Sequence, residues 1–439
     1  MYRTGALASI STLMLLVACG SDTGAPSHGW PSAGNDSAGS DPGAIGNGAG
    51  SATTPSAGSG DNVAGSNAAQ SGSASGGSAS GGSAGSDNDV AGSGGTATAG
   101  GAPVAGNNAG GVPATSNEYW IAPNGADTNP GTETAPFATV LAALTRVKPG
   151  VTLWLKPGTY ASAATISILF KYSGTEAQPV TLKAAPGARP VLDFSQQQPG
   201  NDDLRGINLL ANYWNIQGIE IKKAGDNCIA IAGSNNTIED VIVHECGDTG
   251  IQITAPSDQA ADDTRAANNT ILNCDSWGNL DSATGGENAD GFAAKLRIGP
   301  GNVFKGCRAW NNADDGWDLF AADDVVKIDS SWAFSNGKPL GGSNPQGDGN
   351  GFKLGGAPDG PGQGGAVHLV SGSFAFENKS CGFVRNNNPD VPKLSACGAK
   401  DNKTAYCSLS VSGEIGMTMS STAARTAARN ADGSLPAMK

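Results

Sequence analysis

The sequence predicts an all-β solenoid: short parallel strands wound coil on coil, closed at the first coil by a short N-terminal capping helix and preceded by a long tether. Two internal repeats carry that prediction. Ile216 to Ile221 (IQGIEI) recurs twenty-two residues later as Ile238 to Val243 (IEDVIV), and SNNTI at Ser234 returns as NNTI at Asn268. A second signature runs through CDSWGN at Cys274, CRAWNN at Cys307, SWAFSN at Ser331, SFAFEN at Ser373 and CGAKDN at Cys397. Units of roughly 22 residues or more, built from short strands broken by Gly and Asn, stack as solenoids because no single unit can bury its own apolar face.

The chain has 439 residues, but composition removes the first quarter from the fold. Residues 1–19 read as a lipoprotein signal: Tyr2 and Arg3 open it, an apolar run spans Ala6 to Val17, and LVAC ends at Cys19, the expected lipidation site. The apolar run is too short to cross a bilayer. Residues 20–115 are Gly, Ser, Ala, Asn and Asp with almost no large apolar side chains. Such a segment cannot offset its ordering entropy and is expected to be a disordered linker. Residues 116–439 are then one folded domain, expected to act as a monomer that meets the membrane only through the lipid. The protein is expected to be exported, either lipid-anchored to the bacterial cell envelope (outer membrane or cell surface) or extracellular.

Within the domain, EYWI at Glu118 reads as a first strand and PNGADTNPGT as a turn-rich loop. Pro136 then opens FATVLAALTRV, the helix expected to cover the first coil's open edge. Strands follow without helices: VTLWL from Val151, GTYAS from Gly158, PVTLKA from Pro179 and INLL from Ile207. The repeat frames predict an interior aromatic ladder of Trp277, Trp310, Phe334 and Phe376. They also predict an amide ladder of Asn279, Asn312, Asn336 and Asn378 at a turn. The run from Thr254 to Ala267 and GKPLGGSNPQGDG after Asn336 leave the coils as loops that would rim a cleft. TAARTAARNADG from Thr422 is expected to cap the far end. Of eight cysteines, Cys274 and Cys307 read as buried thiols, and Cys397 with Cys407 as a plausible disulfide, though pairing is not legible from spacing.

The chemistry concentrates between Glu287 and Gly356. Aligning Gly291, Gly316 and Gly351 places Asp290 and Asp315 one residue before the glycine, and Asp318 and Lys353 two after it. Stacked at the strand spacing of roughly 4.8 Å, these residues and Asp314 form one patch of four carboxylates and a lysine. Positions before and after the glycine have opposite parity on a straight strand, so the coil must bend there. Crowded carboxylates repel unless protonated or bound to a cation, and hard oxygen ligands suit calcium, Ca2+. Lys353 beside Asp318 reads either as a salt bridge or as a general base. A bound cation would lower its pKa and Asp318 would raise it, so a neutral lysine requires the metal. The net charge of -13 argues against nucleic acid as a partner. It would equally disfavour a polyanionic substrate, were the local field not inverted by a bound cation.

GENADGFAAK, GNVFKGC, NNADDGWDLF and GNGFKLGG closely resemble the calcium-dependent pectate lyases of polysaccharide lyase family 9, and the resemblance runs from EYWIAPNGADTNPGT to RNADGSLP. It implies a right-handed parallel β-helix and a polysaccharide lyase acting on polygalacturonate or pectin. It also implies that Asp290, Asp314, Asp315 and Asp318 hold calcium and that Lys353 removes the substrate's C5 proton. Arg385, in SCGFVR, and Lys295 are candidates for contacting a substrate carboxylate. A polygalacturonase would usually bring a Gly-His-Gly, which His28, His244 and His368 do not form. A lyase or epimerase acting on another polyuronate such as alginate would use the same proton abstraction. A noncatalytic glycan-binding β-helix would keep the aspartates as a structural ladder but has no use for Lys353.

Overall fold

A computed structural model describes residues 117–256, 264–356 and 365–438; the signal, Cys19 and the whole 20–115 linker lie outside them. The domain is a parallel β-helix. Its described strands form three parallel sheets, of eleven, nine and nine strands. The chain visits them in rotation, as in Thr237–Glu239, Ile242–His244 and Ile251–Ile253, then Thr270–Leu272, Asp275–Trp277 and Phe292–Ala294.

Period-two alternation sends every second residue inward. In the first sheet Ile216, Ile238, Ile271, Phe304, Ile328, Val370 and Leu394 stack in register and are buried. In the third, Ile207, Ile229 and Ile251 give way to Phe292, Trp317, Phe352 and Phe383. The second sheet compensates: its inward row shrinks from Leu192, Ile221 and Val243 to Ser276, Ala309, Ala333 and Ala375. Large residues facing small ones keep the interior filled at native density along the stack.

That compensation corrects the predicted aromatic ladder. Trp277, Trp310, Phe334 and Phe376 do stack in register, but each is one residue away from the small inward residue and so lies on the outer face. The C-terminal segment covers them with Met417 and Ala424 buried and Met419, Ala427, Leu435 and Met438 alongside. The far-end cap is corrected with it. Helix α2, Ser421–Thr426, is held flat on this sheet by the Arg308 guanidinium, which donates to Ala424 O at 3.0 Å and Ala427 O at 2.9 Å.

Helix α1, Val140–Leu144, is shorter than the sequence suggests and starts later. The Thr139 hydroxyl accepts from Ala142 N at 3.1 Å as its N-cap, while Phe137 pairs with Ile121 as an isolated bridge. Phe137, Val140, Ala143 and Leu144 are all buried in the core cluster at the first coil. The disulfides also differ from the expected pair: they are Cys228–Cys246 and Cys381–Cys407. Cys397 is a buried thiol like Cys274 and Cys307, directed at Val370 O and Ser395 O.

Candidate active site

Gly291, Gly316 and Gly351 each precede a strand of the third sheet, Phe292–Ala294, Trp317–Asp318 and Phe352–Lys353. A Cβ on Gly316 would sit 2.5 Å from Gly351 O and 2.8 Å from Asn336 Nδ2, so the turn admits no side chain. The asparagine ladder lies directly against these glycines. Asn279 Nδ2 donates to Asn312 Oδ1 at 2.9 Å, Asn312 to Asn336 at 3.0 Å, Asn336 to Asn378 at 3.0 Å, and Asn378 to Asn402 at 2.9 Å. Asn402 extends the predicted row by one coil.

The bend at this turn brings residues on both sides of the glycine to one patch. Asp290, Asp314 and Asp315 each place a carboxylate oxygen within 4.8 Å of the others. Backbone amides orient them: Asn288 N and Asp348 N donate to the two oxygens of Asp314 at 3.0 and 2.7 Å, Asn350 N donates to Asp315 Oδ1 at 2.6 Å, and Asp315 N to Asp290 Oδ1 at 3.1 Å. Asp315 Oδ2 is buried without a hydrogen-bond partner. Asp318 stands in register with Lys353 as predicted but outside the oxygen triad: its Oδ1 accepts from Phe320 N at 2.9 Å, and its Oδ2 meets Lys295 Nζ at 3.3 Å.

Lys353 is buried, with Nζ 3.7 Å from Asp315 Oδ2 and 3.5 Å from Asp348 Oδ2. Phe320 lies beneath it, the ring centroid 5.8 Å away. Burial works to lower the Lys353 pKa, but Asp318, Asp315, Asp314 and Asp348 overrule it and hold the group well above its ordinary value. Burial acts oppositely on carboxylates: it and the neighbouring aspartates push Asp290 and Asp315 well above the usual carboxylate range, against the pull of Lys353 and, at Asp290, of Lys295. Burial raises Asp314 likewise, with Asp348 and Asp318 adding to it. The patch therefore gathers more carboxylates than it has lysines to pair with them.

The two residues predicted to contact substrate are placed as follows. Arg385 donates through Nε to Asn388 O at 2.6 Å and through one amino group to Pro389 O at 3.0 Å, tying its own loop. Lys295 is buried among the aspartates. Sequence alignment missed Thr249, whose hydroxyl donates to Asp290 Oδ2 at 3.1 Å; it occupies the position before Gly250 that Asp290 occupies before Gly291. Asp348 was missed because it comes from the loop after Asn336, where no repeat frame applies.

A family model described as the Pel9A-like, right handed beta helix region matches residues 119–423. The chain belongs to this family. Pectate lyase L of Paenibacillus polymyxa is 42% identical over 291 residues, covering 65% of this chain and 63% of that protein. Pectate lyase L of Dickeya chrysanthemi is 38% identical over 278 residues, covering 62% of each. The chain thus spans less than two thirds of these relatives' length. The crystal structure of pectate lyase Pel9A superposes with a TM-score of 0.63 at 33% identity, covering 74% of this chain and 88% of that one. This Pel9A-like chain therefore has the right-handed winding of its family, and its glycine turns belong to the part of the domain the family model covers.

Proposed function

We propose that the chain is a calcium-dependent pectate lyase that cleaves α-1,4-linked polygalacturonate by β-elimination. The observation that carries this is Lys353, a buried amine at the rim of a three-carboxylate oxygen cluster. Relatives named pectate lyases support it.

The donor set fits calcium. It offers hard oxygens only, three of them within reach of one ion, and the buried Asp315 Oδ2, which has no hydrogen-bond partner and only Lys353 at 3.7 Å, leaves room for a ligand from outside. Asp290, Asp314 and Asp315 would hold the ion, with Asp318 on the adjoining strand. When bound, calcium supplies positive charge that a substrate carboxylate shares with these aspartates, drawing electron density from C5.

Lys353 then acts as general base. Its neutral amine takes the C5 proton, the C–H electron pair becomes the C4–C5 double bond, and O4 leaves with the electrons of the glycosidic bond, taking a proton from water. Burial favours the neutral amine, and the four carboxylates oppose it; once their charge is compensated, burial prevails. Phe320 restricts the amine from below, fixing its approach.

The reading extends to the rest of the chain: a Cys19 lipid anchor and the Gly-, Ser- and Ala-rich segment after it would hold an exported, monomeric enzyme at the envelope within reach of its polymer. Incubation with polygalacturonate and calcium, followed by the ultraviolet absorbance of unsaturated uronate, tests the activity. A rise that a chelator abolishes supports pectate lysis. Absorbance appearing on alginate instead reassigns the substrate, and saturated products would mean hydrolysis.

A further inference from the structure

Lys295 stands at the patch without a part in the proton transfer. Its Nζ lies 3.1 Å from Asp290 Oδ2 and 3.3 Å from Asp318 Oδ2. All three residues are buried, Asp290 completely and Lys295 to within 7%. The backbone fixes the lysine as firmly as the carboxylates: Lys295 N donates to Ile253 O at 3.1 Å, and Ala293, two residues earlier, is in register with Asp318. The ammonium therefore bridges two adjacent coils, while Lys353 meets a different pair, Asp315 and Asp348. An ammonium already shared by two buried carboxylates is poorly placed to serve a third on a substrate.

We propose that Lys295 is a positioning residue, an internal countercharge that holds Asp290 and Asp318 in place when calcium is absent and limits how strongly the patch attracts the ion. This rests on the calcium reading above. Four carboxylates in one buried patch would repel one another apart or take up protons. A fixed ammonium bonded to one oxygen of Asp290 and one of Asp318 ties the two carboxylates together and aims them, and leaves Asp314 and Asp315 Oδ2, which has no hydrogen-bond partner, as the side open to a cation. The cost is affinity: a positive charge a few ångströms from the ligands repels a divalent ion through a weakly screening interior. The site is thereby pre-organised but moderated, which suits an ion that must also share its coordination with an incoming substrate.

The test is calcium titration calorimetry together with melting temperature in chelator and in calcium, on wild type, Lys295→Met and Lys295→Arg. The Met variant should melt lower than wild type in chelator, recover most of the difference on adding calcium, and bind calcium about tenfold or more tightly. The Arg variant, keeping the charge, should stay near wild type in both. Should Lys295→Met not fold, Lys295→Met with Asp318→Asn removes one charge of each sign. Recovery of a folded protein in chelator supports charge balance, and failure of the double variant to fold overturns it. Unchanged calcium affinity and an unchanged calcium-induced shift in the Met variant also overturn the proposal, and a raised KM alone would return Lys295 to the substrate. If wild type itself binds no calcium, the metal reading falls, and this proposal with it.

Discussion

Two buried polar rows run side by side at the same turn, and they behave in opposite ways. Asn279, Asn312, Asn336, Asn378 and Asn402 pass hydrogen bonds from one coil to the next, so the row satisfies itself without help from outside. Asp290, Asp314, Asp315 and Asp318 lie on the other side of the glycines, also buried, crowded together and with one oxygen, Asp315 Oδ2, that has no hydrogen-bond partner. A buried polar row that closes its own hydrogen bonds is scaffold, since each unmade bond would be costly. A row left open on a rigid scaffold is a place for a ligand. The two should therefore respond in opposite ways to substitution.

The widest separation is expected at Lys353→Ala. Turnover on polygalacturonate should fall about a thousandfold or more, as for loss of a general base, while calcium still binds, and more tightly than to wild type because a buried ammonium beside Asp315 is gone; a steady-state assay and calorimetry read both. Next is Asp315→Asn. It should weaken calcium binding about a hundredfold, yet melt no lower than wild type in chelator, because it relieves repulsion among buried carboxylates. The asparagine row predicts the reverse. Asn336→Ala removes the acceptor for Asn312 Nδ2 and the donor to Asn378 Oδ1, and should cost about 3 kcal/mol in urea unfolding with the calcium affinity of the folded fraction unchanged. Equal behaviour of Asp315→Asn and Asn336→Ala in chelator would erase the distinction.

The smallest expected effect concerns a buried group outside both rows. His368 is fully buried, accepts from Val326 N at 3.2 Å through Nδ1, and has no partner at Nε2. Burial pushes its pKa down to about 4, so the folded state resists a proton that the unfolded chain takes up readily. The stability it confers is complete above the unfolded value of about 6.5. It falls away as pH drops toward 4, by up to about 3 kcal/mol. His368→Asn, which keeps an acceptor for Val326 N, should lose less stability than wild type between pH 7 and pH 4.5. Parallel losses would refute the assignment.

Much of this was written in the repeats. Register at the glycines set Asp318 beside Lys353 and gathered the carboxylates, because equivalent positions in a parallel stack are neighbours whatever the loop lengths. The side of the sheet taken by Trp310 and Phe334 was not legible: their strands, Arg308–Trp310 and Trp332–Phe334, are buried on both faces. Only the size of the opposite row, Ala309 and Ala333 against Trp317 and Phe352, tells which face is the core. The disulfides escaped because cysteines far apart in frame meet across coils, as Cys381 and Cys407 do. Asp348 escaped because a loop carries it.

The most direct test of the account measures Lys353→Ala and wild type together, in saturating calcium, for unsaturated product and for calcium affinity on the same preparations. The variant is expected to bind calcium at least as tightly as wild type and to form almost no product. Product formed by the variant at a rate near wild type, with calcium bound, would contradict it and place the base elsewhere.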